Sequence, residues 1–178
     1  TSNAVVTCAT ALSTNTFIKS FLVSSGLNSE QIGVLDFIES LAMVIGCFLI
    51  VGVTSRVKNI VKSNALSTLF YILIPSAIVV ITLFQSQLAQ CSFLILSVFY
   101  GLQNLGLSFK QAISNKSMVN FIYPSKISGA MSVASVSGSL FSILMGTVSS
   151  AIMTIAFPTN YTVLFSVAVV LFFIGTFL

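Results

Sequence analysis

Apolar runs long enough to cross a lipid bilayer are the feature that most constrains this chain. A membrane-crossing helix needs ~20 mostly apolar residues. Six such stretches follow one another, at about 2–24, 29–53, 64–85, 91–113, 126–155 and 160–178. The interruptions between them are short and polar: Ser25-Gly26-Leu27-Asn28, Thr54 to Ser63, Gln85-Ser86-Gln87, Ser114 to Pro124, and Phe157-Pro158-Thr159-Asn160. The runs are too long for barrel strands and lack period-two alternation. The expected fold class is therefore all-α, a polytopic membrane protein in which residues 1–178 form a single six-transmembrane-helix bundle. Asn28, followed three residues later by Gln31, predicts a capping box at the start of span two. Pro75, in mid-span, predicts a kink in span three. The chain starts at Thr1 and runs apolar to Leu178, which leads us to expect a fragment of a longer protein. The opening run is too long and too studded with polar residues for a signal peptide.

Composition removes whole classes of function. Charged residues make up 6% of the chain and hydrophobic residues 56%, whereas soluble domains are about 25% charged. So few charges cannot cover the surface of a water-soluble sphere of this size, which excludes a soluble enzyme, a nucleic-acid binder and a disordered segment. There is no His, so His-ligated metals and Ser-His or Cys-His nucleophile pairs are impossible. Cys8, Cys47 and Cys91 are isolated and odd in number, and read as small apolar core residues. No metal and no cofactor are expected. Without Trp, an aromatic belt would have to use Tyr and Phe.

The charges also set an orientation. Arg56, Lys58 and Lys62 follow span two, while Lys110, Lys116 and Lys126 flank the connection between spans four and five. The loops after spans one, three and five carry no Lys or Arg. The positive-inside rule then puts the basic loops and both chain ends on the cytoplasmic side of a plasma (cytoplasmic) membrane.

Ionisable groups inside spans are expensive and mark function. Lys19 lies about five residues from the outer end of span one and Asp36 about seven from the outer end of span two, depths that nearly match at ~1.5 Å per residue. A Lys19–Asp36 pair is expected, as a buried structural ion pair or part of a proton-coupling site, unless Lys19 snorkels to the interface. Glu39 shares the Asp36 face one turn deeper and is a candidate for lining a cavity. Uncharged polar groups cluster too. Span one carries Thr7, Thr10, Ser13, Thr14 and Asn15. Span four carries Ser97, Gln103 and a Tyr100, Asn104, Ser108 stripe. Span five carries Ser128, Ser132, Ser135, Ser139 and Ser142, with Ala130, Ala134 and Gly138 as a small-residue packing face. Spans three and six are mainly apolar and read as lipid-facing. The order polar, polar, apolar, polar, small-polar, apolar is a 3+3 pattern of the kind found in secondary transporters.

Three short segments carry a family resemblance. Gly26-Leu27-Asn28-Ser29-Glu30-Gln31-Ile32-Gly33 resembles the G-L-S-x-x-Q-I-G segment joining the first two helices in a half of the major facilitator superfamily. The loop holding Gly52, Arg56 and Lys58 is similar to that family's G-x-x-x-D-R-x-G-R loop, with Ser55 at the place of the Asp and the second Gly missing. Pro124-x-Lys126-x-x-Gly129 is similar to the P-x-x-x-R-G opening of its fifth helix. Gly101 and Gly106 match glycines of its fourth helix, but the Arg common there and the Gly-Pro pair of antiporters are absent. The resemblance implies one six-helix half of a twelve-helix transporter, leaning to the C-terminal half because of the eroded loop. It also implies that helices one and four line the cavity, two and five meet the other half, and three and six face lipid.

The function expected is secondary active transport of a small solute by alternating access, import or efflux, with no enzymatic activity. Asn15, Tyr100, Gln103 and Asn104 are the substrate-cavity candidates, and Lys19, Asp36 and Glu39 the proton-coupling or ion-pair candidates. The partners expected are membrane lipid, the other six-helix half and the solute, with no nucleic acid. The alternative is an oligomeric six-span channel or membrane scaffold, although no T-V-G-Y-G-type filter is present. An intramembrane aspartyl enzyme using Asp36 and Glu39 is disfavoured, because the two share one helix instead of converging from two elements.

Overall fold

A computed structural model describes residues 2–54, 56–84, 88, 91–121 and 124–177. Every regular element among them is helical: α1 (Ser2–Leu12), α2 (Asn15–Ser24), α3 (Ser29–Thr54), α4 (Ile60–Thr68), a 3-10 turn (Leu69–Ile72), α5 (Leu73–Leu83), α6 (Ser92–Phe121), α7 (Pro124–Ile152) and α8 (Thr159–Phe177). Five segments among the described residues are long and apolar enough to cross a membrane: Ser29–Ile50, Ile60–Leu83, Ser92–Ser117, Lys126–Ile152 and Thr159–Phe177.

Span one departs from expectation because it is two helices. Ser13-Thr14-Asn15-Thr16 is a run of four residues whose side chains compete for the backbone. The Ser13 hydroxyl and amide both bond back to the Ala9 carbonyl, ending α1. Thr14 is then extended (φ −65°, ψ 153°), and α2 restarts at Asn15. In span three, where Pro75 predicts a kink, the structure has a 3-10 segment upstream of the proline. Without an N–H at Pro75 the preceding turn tightens to 3-10 over Leu69–Ile72.

The turn between spans one and two is fully specified. Gly26 takes the left-handed conformation (φ +85°), Leu27 N–H reaches the Leu22 carbonyl, and Gly26 N–H reaches that of Val23. That is a Schellman close for α2. Two residues on, Gln31 N–H donates to Asn28 Oδ1 (2.8 Å) and Asn28 N–H to Gln31 Oε1 (3.0 Å), the reciprocal box that the spacing predicts. Two boundaries move. Span three begins at Ile60, because Asn59 caps it by accepting from Lys62 N–H. Span four runs to Phe121, well past the expected end at 113, because 114–121 hold no Gly or Pro to stop it and Gln111 bonds Asn115 one turn on. The Gln85–Gln87 interruption, Ser55 and the 122–123 connection lie outside the described residues.

Packing follows a definite scheme. α3 lies along α6, α1 along α8 and α7, and α5 against both α6 and α8, while α4 continues the contact with α6. In span terms the main pairs are two–four, one–five, one–six, three–four and three–six, with a smaller contact between five and six. Exchanging one with four, two with five and three with six returns the five main pairs, and the five–six contact stands outside that exchange. One core joins Ile18, Phe21 and Leu22 of α2 to Ile74, Ile78, Leu96, Tyr100 and Phe165. A second core joins Ala9 and Leu12 of α1 to Ile72, Leu164, Ala168 and Phe172. Two close approaches need glycine. A Cβ on Gly46 would sit 2.7 Å from the Ser108 Cβ, and one on Gly106 would collide with the Phe70 ring.

Spans three and six, read as lipid-facing, each bury one face and expose the other. They supply about half of the buried apolar side chains, including Ile74, Ile78 and Ile81 on α5 and Leu164, Phe165 and Phe172 on α8, while Val80 and Leu83 on α5 and Val170 and Phe173 on α8 remain exposed. An apolar side chain suits a helix core as well as it suits lipid, so hydropathy does not separate the two. The outlying helices are α3, with Phe37, Phe48 and Leu49 exposed, and α7, with Val133, Val136, Leu140, Ile143 and Leu144 exposed.

Candidate functional site

The polar residues singled out from the sequence fall into two groups. The first turns inward. Tyr100, Gln103 and Asn104 are buried. Gln103 Oε1 accepts from Ile74 N–H at 2.9 Å, a donor left over where the 3-10 turn meets α5 beside Pro75. Asn104 Nδ2 donates to the Tyr100 carbonyl (3.0 Å), and the Ser108 hydroxyl donates to the Asn104 carbonyl (3.0 Å). Thus the α6 stripe is spent on its own backbone and on span three, inside the bundle.

The second group faces outward. Asn15 is exposed at the start of α2, beside exposed Thr14 and Thr16. Lys19 Nζ donates to Asp36 Oδ2 at 2.9 Å, with both side chains nearly half exposed (47% and 44%). The pair joins α2 to α3 across the Gly26 turn. Glu39 lies one turn along α3, half-buried, within electrostatic reach of Asp36, Lys19 and Tyr100. Among the described residues it has no ion-pair partner. On α7, Ser132, Ser135, Ser139 and Ser142 are exposed, and Ser132 and Ser139 bond back to the carbonyls of Ser128 and Ser135. Such back-bonding satisfies a serine without a partner helix and keeps the α7 surface small. Gly52, Arg56 and Lys58 are exposed at the basic end, where α3 gives way to the α4 connection.

One set of residues escaped the sequence reading, which counted Lys110 only as a charge at the end of span four. Lys110 is half-buried, its Nζ 2.9 Å from Thr68 Oγ1 and 4.6 Å above the centre of the Tyr71 ring. It lines a cavity of about 520 Å³ between α1, α6 and α7 that also takes in Thr7, Thr10, Gln111, Ser114 and Ser137. The signal in the sequence was Lys110 with Gln111 and Ser114 inside a helix with no stop signal before Pro124. No group of metal-binding side chains exists among the described residues.

No family model, no characterised protein and no solved structure matches this chain.

Proposed function

We propose that the chain is one half of a secondary active transporter of the major facilitator type, moving a small solute across the cytoplasmic membrane by alternating access. The observation that carries this reading is the outward polar group. Asn15, Lys19, Asp36 and Glu39 lie on helices of mainly apolar sequence yet are wholly or partly uncovered by the rest of the chain. Hydrocarbon cannot solvate them, so their natural neighbour is water in a cavity or the polar face of a second bundle. Exposed α3 and α7 supply the remaining surface for that bundle. The exchange symmetry of the five main helix pairs, from which the smaller five–six contact departs, supports an internal 3+3 repeat, and the broken first span is of the discontinuous kind that transporter sites use. Both chain ends then lie on the cytoplasmic side with the basic loops. In this mechanism two bundles rock about a midplane site, and Glu39 takes up or releases a proton as its exposure alternates.

The test is flux through proteoliposomes loaded with a pH-sensitive dye. Saturable solute movement with a proton-linked component, abolished by Glu39→Gln, is the expected result. A steady conductance in planar bilayers that scales with solute without saturating overturns the transporter reading in favour of a channel. An unchanged pH dependence in Glu39→Gln removes that residue from the coupling.

A further inference from the structure

We propose that the cavity between α1, α6 and α7 is an oxyanion-binding site in which Lys110 supplies the charge. This inference stands apart from the transport reading, since every residue it uses belongs to this chain and lines a half-open cavity formed by this chain.

The first argument is charge balance. The chain has three carboxylates, Glu30, Asp36 and Glu39, all within the first eleven residues of α3, towards the end of the bundle opposite the basic loops. Lys110 sits near the basic-loop end of α6, with Arg56, Lys58, Lys62, Lys116 and Lys126 towards the same end and no acid on that side. Its ammonium is half-buried and has no carboxylate within ion-pair distance among the described residues. A partly desolvated cation without a counter-ion is unfavourable, and a bound anion offsets that cost.

The second argument is the direction of the donors. An ammonium has three N–H bonds and no acceptor. One goes to Thr68 Oγ1, whose own hydrogen goes to the Asn64 carbonyl. The Tyr71 ring covers another side of the ammonium, and that ring is fixed from behind by stacking on Phe172 (5.5 Å between centres, planes 8° apart). The head group is therefore held in place at the cavity wall with donor capacity left over. Around the same space stand the Gln111 amide and the Thr10, Ser114 and Ser137 hydroxyls. Thr10 and Ser137 spend their hydrogens on backbone carbonyls and the Gln111 amide gives one N–H to Asn115 Oδ1, which leaves the second Gln111 N–H and the Ser114 hydroxyl beside the lysine as donors to an anion.

The third argument is size and lining. About 520 Å³ falls within the ~300–1,000 Å³ range of small-molecule sites. Val6, Ala134 and Phe141 make the far wall apolar. The occupant defined by this chemistry is a carboxylate or phosphate joined to a compact apolar body. It can come from solution as a small organic anion or from the membrane as an anionic lipid headgroup.

The experiment uses the whole chain in nanodiscs. In phosphatidylcholine discs, radiolabelled benzoate is titrated, with choline as the cationic control. In discs containing phosphatidylglycerol, native mass spectrometry counts lipids retained per chain. Saturable benzoate binding identifies a soluble anion; one retained phosphatidylglycerol that excludes benzoate identifies a lipid. In either arm Lys110→Gln weakens binding about tenfold or more while Lys110→Arg preserves it, as expected for one charge-assisted contact. Ala134→Phe fills the cavity from the opposite wall, leaves the lysine untouched and abolishes binding. Circular dichroism and gel filtration confirm that each variant is folded. Absence of binding in both arms, or equal binding by wild type and Lys110→Gln, overturns the proposal.

Discussion

The bond from Ile74 N–H to Gln103 Oε1 ties span three, just after its 3-10 segment, to span four, and its removal should be measurable. Gln103 is 9% exposed, and the bond is 2.9 Å long with a backbone donor that starts α5. In Gln103→Leu the side-chain volume is nearly kept, so little cavity is created. The loss is an amide left without an acceptor, at about 1–3 kcal/mol in a buried site. Side-chain bonds between membrane helices measure nearer ~0.6 kcal/mol, because the unfolded chain in detergent or lipid also finds partners. The expected destabilisation is therefore about 1 kcal/mol, or roughly fivefold in the folded-to-unfolded ratio. Reversible unfolding in mixed SDS and dodecylmaltoside micelles, followed by far-ultraviolet circular dichroism, reads it. A double-mutant cycle isolates the cause. Pro75→Ala restores the missing N–H and lets the helix continue through Leu69–Ile72, returning Ile74 N–H to an intrahelical acceptor. Gln103→Leu should then cost much less in the Pro75→Ala background, with a coupling energy of about 0.5 kcal/mol or more. A neutral Gln103→Leu, or strict additivity with Pro75→Ala, refutes the assignment of Gln103 as the cap of α5 after the 3-10 segment.

Three further outcomes are expected. Gly46→Ala brings a Cβ to 2.7 Å from the Ser108 side chain, and should cost about 1–3 kcal/mol in the same titration, with Ser108→Gly restoring much of it. Asn28→Ala removes half of the reciprocal box at the start of α3 and should cost about 1 kcal/mol; an unchanged midpoint refutes the cap. Lys19 and Asp36 are both more than two-fifths exposed, so in detergent either single neutralisation should cost no more than about 1 kcal/mol. The swap Lys19→Asp with Asp36→Lys should recover that loss, and failure to recover shows that the pair is not the operative contact.

What was legible in the sequence was whatever rests on local chemistry. The box at Asn28 and Gln31, the irregular turn before Pro75 and the meeting of Lys19 with Asp36 all depend on residues a few positions or one short turn apart. The break at Ser13–Thr14 was present as a run of hydroxyls and one amide, but length and hydropathy average over such a run. The inward set of Tyr100, Gln103 and Asn104 was read as cavity lining because a polar group in a span needs a partner, and the sequence cannot say whether that partner is a solute or a neighbouring helix. For spans three and six, hydropathy does not show which apolar face packs inside and which stays exposed; only packing does. Lys110 was hidden by its position, since the basic end of a span is where a solvated lysine is also expected.

The corner at Ser13–Thr14 divides custody of the first crossing. Its basic-end piece travels with α8, where Gly175 admits Val6, and with α7, where Gly138 faces Thr7. Its other piece is moored by the Ser20 hydroxyl to the Tyr161 phenol (2.7 Å) and by Lys19 to α3. Because Tyr161 belongs to α8, that helix holds both pieces, whereas the packing on α7 is carried by the first piece and the ion pair with α3 by the second. Neutralising Asp36 therefore removes a tie from the second piece alone.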